Sequence, residues 1–111
     1  MMVDLRRLGE LQHVLGTDAS NILQGLLDSM RGAIDRIEHA LAGGDLGEVA
    51  NAAHVCRNDG LMVGAHELLA VLQTVEQAAR AGELAVARAA LAPLREVWPG
   101  TRDALERALR S

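Results

Sequence analysis

Apolar residues recur at spacings of three and four along almost the whole chain, and no stretch alternates between apolar and polar residues. This spacing places the apolar side chains on one face of a helix. It predicts helices over residues 3–15, 18–42, 45–63, 65–81 and 83–98, with a last short helical segment over 102–110. Glycines at 16, 43–44, 64 and 82 mark the helix ends, because glycine readily adopts the left-handed backbone that closes many helices.

The two prolines predict where the last helix is disturbed. We expect Pro93 to kink it, and Pro99-Gly100 to kink or break it. Four amphipathic helices joined by short links predict an all-α fold, an antiparallel up-down four-helix bundle with an additional short N-terminal helix. A chain of 111 residues is the size of one domain, so residues 1–111 are predicted to form a single unit.

The composition agrees with a helical core. Half of the residues are apolar, but Phe and Tyr are absent and Trp98 is the single aromatic residue. Aliphatic side chains must therefore fill the core, and this favours packed helices over strands. We expect the core to include Leu26, Met30, Ile34, Leu72, Leu91 and Leu94.

Charge and cysteine content exclude several classes of protein. The formal net charge is −4, and acids and bases are interspersed, so no basic patch for nucleic acid is present. No apolar run approaches the roughly 20 residues that a membrane span requires. The first residues carry charges where a signal peptide has an apolar core, and Cys56 has no partner for an internal disulfide, so we expect a cytoplasmic protein.

The sequence contains no phosphate-binding glycine loop, no nucleophile elbow and no zinc-ligand spacing. We therefore expect no cofactor and no metal site in the chain itself, and no kinase activity of its own. Of the four histidines, we expect His13, His39 and His66 to be surface or packing residues.

His54 differs because it lies mid-helix on the polar edge, with Arg57 three residues and Asn58 four residues after it. A neutral, solvent-facing imidazole offers a nitrogen nucleophile, and a neighbouring guanidinium can pair with a phosphoryl group. By spacing alone, the same pattern also fits an ordinary solvated helix face.

The segment around His54 resembles a known signature. It reads Ala-His-Val-Cys-Arg-Asn-Asp-Gly-Leu-Met-Val-Gly-Ala over residues 53–65. The signature of histidine phosphotransfer (Hpt) domains of bacterial phosphorelays is Ala-His-x-Leu-Lys-Gly-Ser, followed after a few residues by Gly-Ala. The flanking segments are similar as well, so the resemblance extends over nearly the whole chain.

The resemblance implies roles for individual residues. His54 would be the phosphoacceptor, and Arg57 would replace the family's lysine and support the charge of the phosphoryl group. Glu76 and Gln73 match positions near the phosphoacceptor, and one of them, with Glu76 favoured, would orient the imidazole. The docking face for a receiver domain would include Asn51, Asn58 and Leu61.

Three positions depart from the family pattern. Cys56 replaces a leucine and is expected to act as a small, inert apolar residue. Asn58 replaces the glycine one turn after the histidine and narrows the approach to the imidazole. Asp59 replaces a small residue and adds negative potential near the docking face.

The resemblance implies a phosphorelay intermediate, in which His54 carries a phosphoryl group between receiver-domain aspartates. The partners would be receiver domains of response regulators or of a hybrid sensor kinase, of which this chain could itself be a fragment. The partner receiver domain would supply Mg²⁺, and the protein is expected to be monomeric.

Two alternatives stay open. One is a degenerate module that docks a receiver or another protein without phosphotransfer, which Asn58 and Asp59 favour. The other is a purely structural bundle with no signalling role.

Overall fold

The computed structural model describes residues 2–110, so the outermost positions of the expected 1–111 unit lie outside it. Within the described residues, the chain forms α-helices and no strand, and the expected all-α class is confirmed. None of these helices is long and apolar enough to cross a membrane. The helices are α1 (Leu5–Leu15), α2 (Ala19–Gly43), α3 (Leu46–Val63), α4 (His66–Arg80), α5 (Leu84–Ala89) and α6 (Leu91–Arg110), and a 3₁₀ turn, Gly16–Asp18, joins α1 to α2.

Polar contacts between helices establish the antiparallel order of the bundle. Ser29 of α2 donates to Asp59 of α3, and Arg36 of α2 pairs with Glu48 of α3, so residue numbers rise along one helix as they fall along the other. The pairs between α2 and α6 show the same reversal: Arg31 with Glu106, and Glu38 with Arg95. The bundle therefore consists of α2, α3, α4 and the α5–α6 segment, as predicted.

Aliphatic side chains fill the space between these helices. Apart from Val3, which precedes α1, the largest fully buried ones come from α2, α3, α4 and α6, and they form one core cluster. They include Leu27, Met30, Ile37, Leu41, Val49, Val63, Leu68, Leu72, Val75, Leu94 and Leu105.

The predicted edge of α2 is rotated slightly from the observed one. Ile34 is buried as expected, but Leu26 is only half-buried, as is Leu91 of α6. Ile22, one turn before Leu26, is exposed. These two leucines pack against the margin of the core instead of lying in it. Leu23 takes the inward position at the start of α2, because the stripe that faces α3 and α6 follows the packing of the neighbouring helices and not spacing alone.

The prolines behave differently from the prediction. The helix is interrupted at Ala90, between α5 and α6. Pro93 lies in the first turn of α6, where a proline removes no intrahelical hydrogen bond. A kink or a break is expected at Pro99-Gly100, and the break is wrong, because α6 continues through both residues. Buried Trp98, Thr101 and Leu105 hold the helix against the core on both sides of the proline.

The start of α1 is anchored to the end of α3. Asp4 caps α1 by accepting hydrogen bonds from the backbone N–H groups of Arg6 and Arg7, so the helix begins at Leu5. The backbone N–H of Asp4 also donates to the carbonyl of Val63, at 3.4 Å. Gly64 closes α3 with φ of 66°, and a Cβ added to it would lie 2.5 Å from the Cβ of Asp4.

Substituting Gly64 with alanine tests this close approach. We expect Gly64→Ala to destabilise the chain by more than the roughly 1–2 kcal/mol that a left-handed alanine costs, because the new methyl group also collides with Asp4. Gly82→Ala is the matched control, since Gly82 has φ of 75° and open space around it. Urea unfolding of both variants gives the comparison, and equal losses would contradict the packing of α1 described here.

Candidate functional site

Helix α3 presents one buried edge and one exposed edge. The buried edge contains Val49, Ala53, Cys56 and Gly60, at spacings of three and four residues. The exposed edge follows the same period and contains Asn51, His54, Asn58 and Leu61. The side chain of His54 is 54% exposed in the middle of the helix, so its expected exposure is confirmed.

The neighbouring helix α4 brings a buried carboxylate to His54. Glu76 is only 6% exposed. Its Oε1 accepts a hydrogen bond of 2.7 Å from Arg57, and its Oε2 accepts one of 2.9 Å from Arg80. The Nδ1 atom of His54 lies 3.4 Å from the same Oε2. The structure thus gathers His54, Arg57, Glu76 and Arg80 into one cluster, which we call the carboxylate cluster.

Packing of small residues lets α3 and α4 approach closely enough for this cluster to form. A Cβ added to Gly60 would lie 3.2 Å from the side chain of Leu69 on α4. On α4, Leu72, Val75 and Ala79 are buried, and Glu76 lies directly beside Val75 at the margin of that buried stripe. The packing of α4 against α3 therefore places the carboxylate of Glu76 at the seam between the two helices.

The two arginines determine the charge state of Glu76. Burial raises the pKa of this carboxyl, but hydrogen bonds from Arg57 and Arg80, together with their positive charges, outweigh burial and lower the pKa below its ordinary value of 4.5. Glu76 is therefore ionised at neutral pH and can only accept hydrogen bonds. An acceptor facing Nδ1 favours the imidazole tautomer that carries its proton on Nδ1 and leaves the lone pair on Nε2.

The other sequence-predicted residues are placed as follows. Gln73 is exposed on α4, one turn before Glu76, and makes no hydrogen bond or ion pair with His54 in the described chain. Contact with the imidazole belongs to Glu76. Asn51, Asn58 and Leu61 surround His54 on the exposed edge of α3, and their role in docking stays a prediction.

Arg57 and Arg80 differ from the expectation. Arg57 is expected to be a free cation for a phosphoryl group, but one of its N–H groups is already bound to Glu76. Arg80 is absent from the predicted site altogether. Its position four residues after Glu76 is the sequence signal that could have identified it, because residues at that spacing share a helix face.

Cys56 and Asp59 lie away from the imidazole. Cys56 is fully buried, and burial together with the charge of Asp59 raises the pKa of its thiol to about 12, so it stays a protonated core residue. The carboxylate of Asp59 accepts a 2.6 Å hydrogen bond from the hydroxyl of Ser29 on α2. Across residues 2–110, no three His, Cys, Asp or Glu side chains gather as metal ligands would.

A family model agrees with this geometry. The model described as the Hpt domain matches residues 21–111, a range that contains the carboxylate cluster and the bundle helices except for the first two residues of α2. The chain belongs to the Hpt family. This match confirms the resemblance noted in the sequence. Hpt domains carry phosphoryl groups on histidine in phosphorelays and interact with receiver domains.

Two solved structures share the fold of this Hpt domain. One is the histidine-containing phosphotransfer protein B (HptB) from Pseudomonas aeruginosa PAO1, with a TM-score of 0.90 at 23% identity, covering 98% of this chain and 95% of that one. The other is a histidine-containing phosphotransfer protein described as putative from rice, with a TM-score of 0.81 at 19% identity, covering 98% of this chain and 80% of that one. No protein with a curated function matches this chain significantly in sequence.

The depressed pKa of Glu76 predicts how the stability of this Hpt domain depends on pH. The unfolded chain binds the Glu76 proton first as the pH falls, so the stability contributed by the ionised carboxylate is present above about pH 5 and is lost at lower pH. We expect Glu76→Gln to flatten the fall in the free energy of unfolding below that pH, by up to about 1.4 kcal/mol per pH unit.

The measurement is urea unfolding between about pH 3 and pH 7, in the wild type and the variant. Glu96→Gln is the control, because Glu96 is exposed and its substitution is expected to leave the slope unchanged. A wild-type slope that survives in Glu76→Gln would show that Glu76 is not stabilised by its arginines.

Proposed function

We propose that His54 is the phosphoacceptor of this Hpt domain and relays a phosphoryl group between receiver-domain aspartates. The observation that carries the proposal is the environment of the imidazole. Its Nδ1 faces a buried, ionised carboxylate, and its ring is half exposed in the middle of a helix. The remaining nitrogen, Nε2, is then a nucleophile on a convex surface that a partner can reach.

The transfer is a substitution at phosphorus. The lone pair of Nε2 attacks the aspartyl phosphate of the receiver, a P–N bond forms, and the P–O bond to the aspartate breaks, which returns that side chain to a carboxylate. Because the proton stays on Nδ1, the ring gains positive charge as the bond forms. Glu76 lies 3.4 Å from Nδ1 and offsets that charge, which favours the transition state over the free imidazole.

Arg57 supports the charge of the phosphoryl group in this proposal. A guanidinium has five N–H donors, and Arg57 uses one nitrogen for Glu76, so its other donors stay available beside His54. The Mg²⁺ expected for the reaction would belong to the receiver domain, where it neutralises the phosphate oxygens. The chain contributes a nucleophile and positive charge, and it therefore needs no pocket of its own.

The partner would dock on the exposed edge of α3. Asn51, Asn58 and Leu61 flank His54 there, and Asn58 stands where the family has a glycine. Asp59 counts less against docking than the sequence indicates, because Ser29 binds its carboxylate on the side of α3 that faces α2. We expect the relay to operate as a monomer, since a dimer that covers His54 would block the partner.

Substituting the proposed phosphoacceptor tests the function directly. We expect His54→Gln to abolish acid-labile phosphorylation from a phosphorylated receiver domain encoded alongside this protein. Because the side chain is exposed, the free energy of unfolding should change by less than about 0.5 kcal/mol.

His66→Gln is the matched control, because His66 is also exposed and lies at the first residue of α4, ten residues before Glu76. It should accept phosphate as the wild type does. If the wild type takes no phosphate from any such receiver yet binds one stoichiometrically, the chain is a docking module and His54 has no chemical role.

Asn58, one helical turn after His54, tests access to the imidazole. We expect Asn58→Gly to speed phosphotransfer or to broaden the set of receivers that act as donors, because it removes the side chain beside the nucleophile. A glycine also destabilises the helix by about 0.5–1 kcal/mol. The rate must therefore be compared with that of a control variant in which a glycine destabilises the same helix equally.

Asn51→Gly provides that control, since it places a glycine on the same exposed edge before His54. Stopped-time phosphotransfer assays with a panel of receivers give the rates. Equal acceleration by both glycines would contradict a steric role particular to Asn58.

A further inference from the structure

Arg80 shares an oxygen atom with the proposed phosphoacceptor. Its Nε donates to Oε2 of Glu76 at 2.9 Å, and this is the oxygen that faces Nδ1 of His54. Arg57 takes the other oxygen, Oε1. The side chain of Arg80 is 55% exposed, whereas that of Glu76 is 8% exposed. Arg80 therefore lies on the solvent side of the carboxylate.

Arg80 lies on α4, the same helix as Glu76, whereas Arg57 lies on α3. The terminal torsion of a glutamate is broad, so the plane of its carboxylate is set by its hydrogen bonds. Arg80 is four residues after Glu76 on α4 and can hold Oε2 independently of α3. Without it, Nδ1 is the one partner of Oε2 among residues 2–110, and the bond to Arg57 alone leaves the carboxylate plane free to turn about Oε1.

We propose that Arg80 is a positioning residue for phosphotransfer: by holding Oε2 of Glu76 it keeps the His54 imidazole in the tautomer whose lone pair is on Nε2. This inference rests on the proposed role of His54. In this account Arg80 acts through Glu76 and does not touch the phosphoryl group, whereas Arg57 both binds Glu76 and supports the phosphoryl charge.

Two charged side chains of α2 and α3 outside the cluster have their own partners. On α3, Asp59 is bound by Ser29 of α2. On α2, Arg31 pairs with Asp28 at 3.7 Å and with Glu106 of α6. Within the described chain, the ion pairs of Glu76 are with His54, Arg57 and Arg80 alone, so Arg80 has no substitute on α4.

The test is Arg80→Gln in the full chain, with two readouts. Nitrogen-15 NMR of histidine-labelled protein reports which ring nitrogen of His54 carries the proton, without any partner present. We expect the variant to lose the wild-type preference for a proton on Nδ1, and to accept phosphate from a phosphorylated receiver roughly tenfold more slowly, the size typical of a lost orienting partner. Arg80→Lys should restore part of both signals, because an ammonium can still donate to Oε2.

Two comparisons separate positioning from other effects. Arg102→Gln is the matched control, because Arg102 is also an arginine paired with a glutamate four residues away, on α6. It should change neither readout. In a Glu76→Ala background, checked for helicity and cooperative unfolding, Arg80→Gln should cause no further loss of rate, while Arg57→Ala should still slow the transfer.

The outcomes are distinct. A rate loss without any change in the imidazole signals, or one that persists in full in the Glu76→Ala background, would overturn the proposal and indicate that Arg80 contacts the partner. Unchanged imidazole signals in Arg80→Gln would overturn it as well. If the wild type accepts no phosphate, the proposed function fails, and the NMR comparison still decides whether Arg80 positions His54.

Discussion

A carboxylate buried at the seam of two helices constrains the rest of the site. An ionised group removed from water is costly unless hydrogen bonds and opposite charges compensate it. Glu76 receives this compensation from one arginine on each helix, Arg57 on α3 and Arg80 on α4. These hydrogen bonds join α3 and α4 at the point where Nδ1 of His54 lies 3.4 Å from the carboxylate and the ring stays half exposed.

This arrangement explains how a bundle without an enclosed active site can take part in group transfer. The hydrophobic core, from Leu27 and Met30 to Leu94 and Leu105, holds the helices rigidly and leaves the chemistry on the convex face of α3. Only the orientation of the imidazole and part of the charge need to be prepared in advance. In the proposed reaction the electrophile, the metal ion and the walls of the reaction site come from the receiver domain.

The helices and their ends could be predicted because they depend on local signals. The glycines at 16, 44, 64 and 82 have positive φ, and Asp45 caps α3 by accepting a hydrogen bond from the backbone N–H of Glu48. Positions that depend on packing between helices were less predictable. Ile22 and Leu26 fit the helical period as well as Leu23 does, and Pro99 has the same local penalty whether or not Trp98 and Leu105 hold α6 in place.

In the candidate site, too, some features could be predicted from the sequence and others depend on contacts between helices. Exposure of His54 follows from the period of α3, and its proximity to Glu76 follows from the family resemblance. The pairing of Arg57 with Glu76 and the part played by Arg80 do not follow from either. Both depend on which rotamers satisfy a buried carboxylate, and a single sequence carries that information only as the spacing of four between Glu76 and Arg80.

The central claim is that Glu76 leaves Nε2 of His54 as the nucleophile, and the most direct test is to locate the phosphoryl group. Phosphorus–nitrogen correlation NMR on histidine-labelled protein, after transfer from a phosphorylated receiver domain, identifies the bonded nitrogen. The account predicts a single phosphohistidine with phosphorus bonded to Nε2 of His54 and a proton on Nδ1. Phosphorus bonded to Nδ1 of His54, or to a ring nitrogen of His13, His39 or His66, would contradict it.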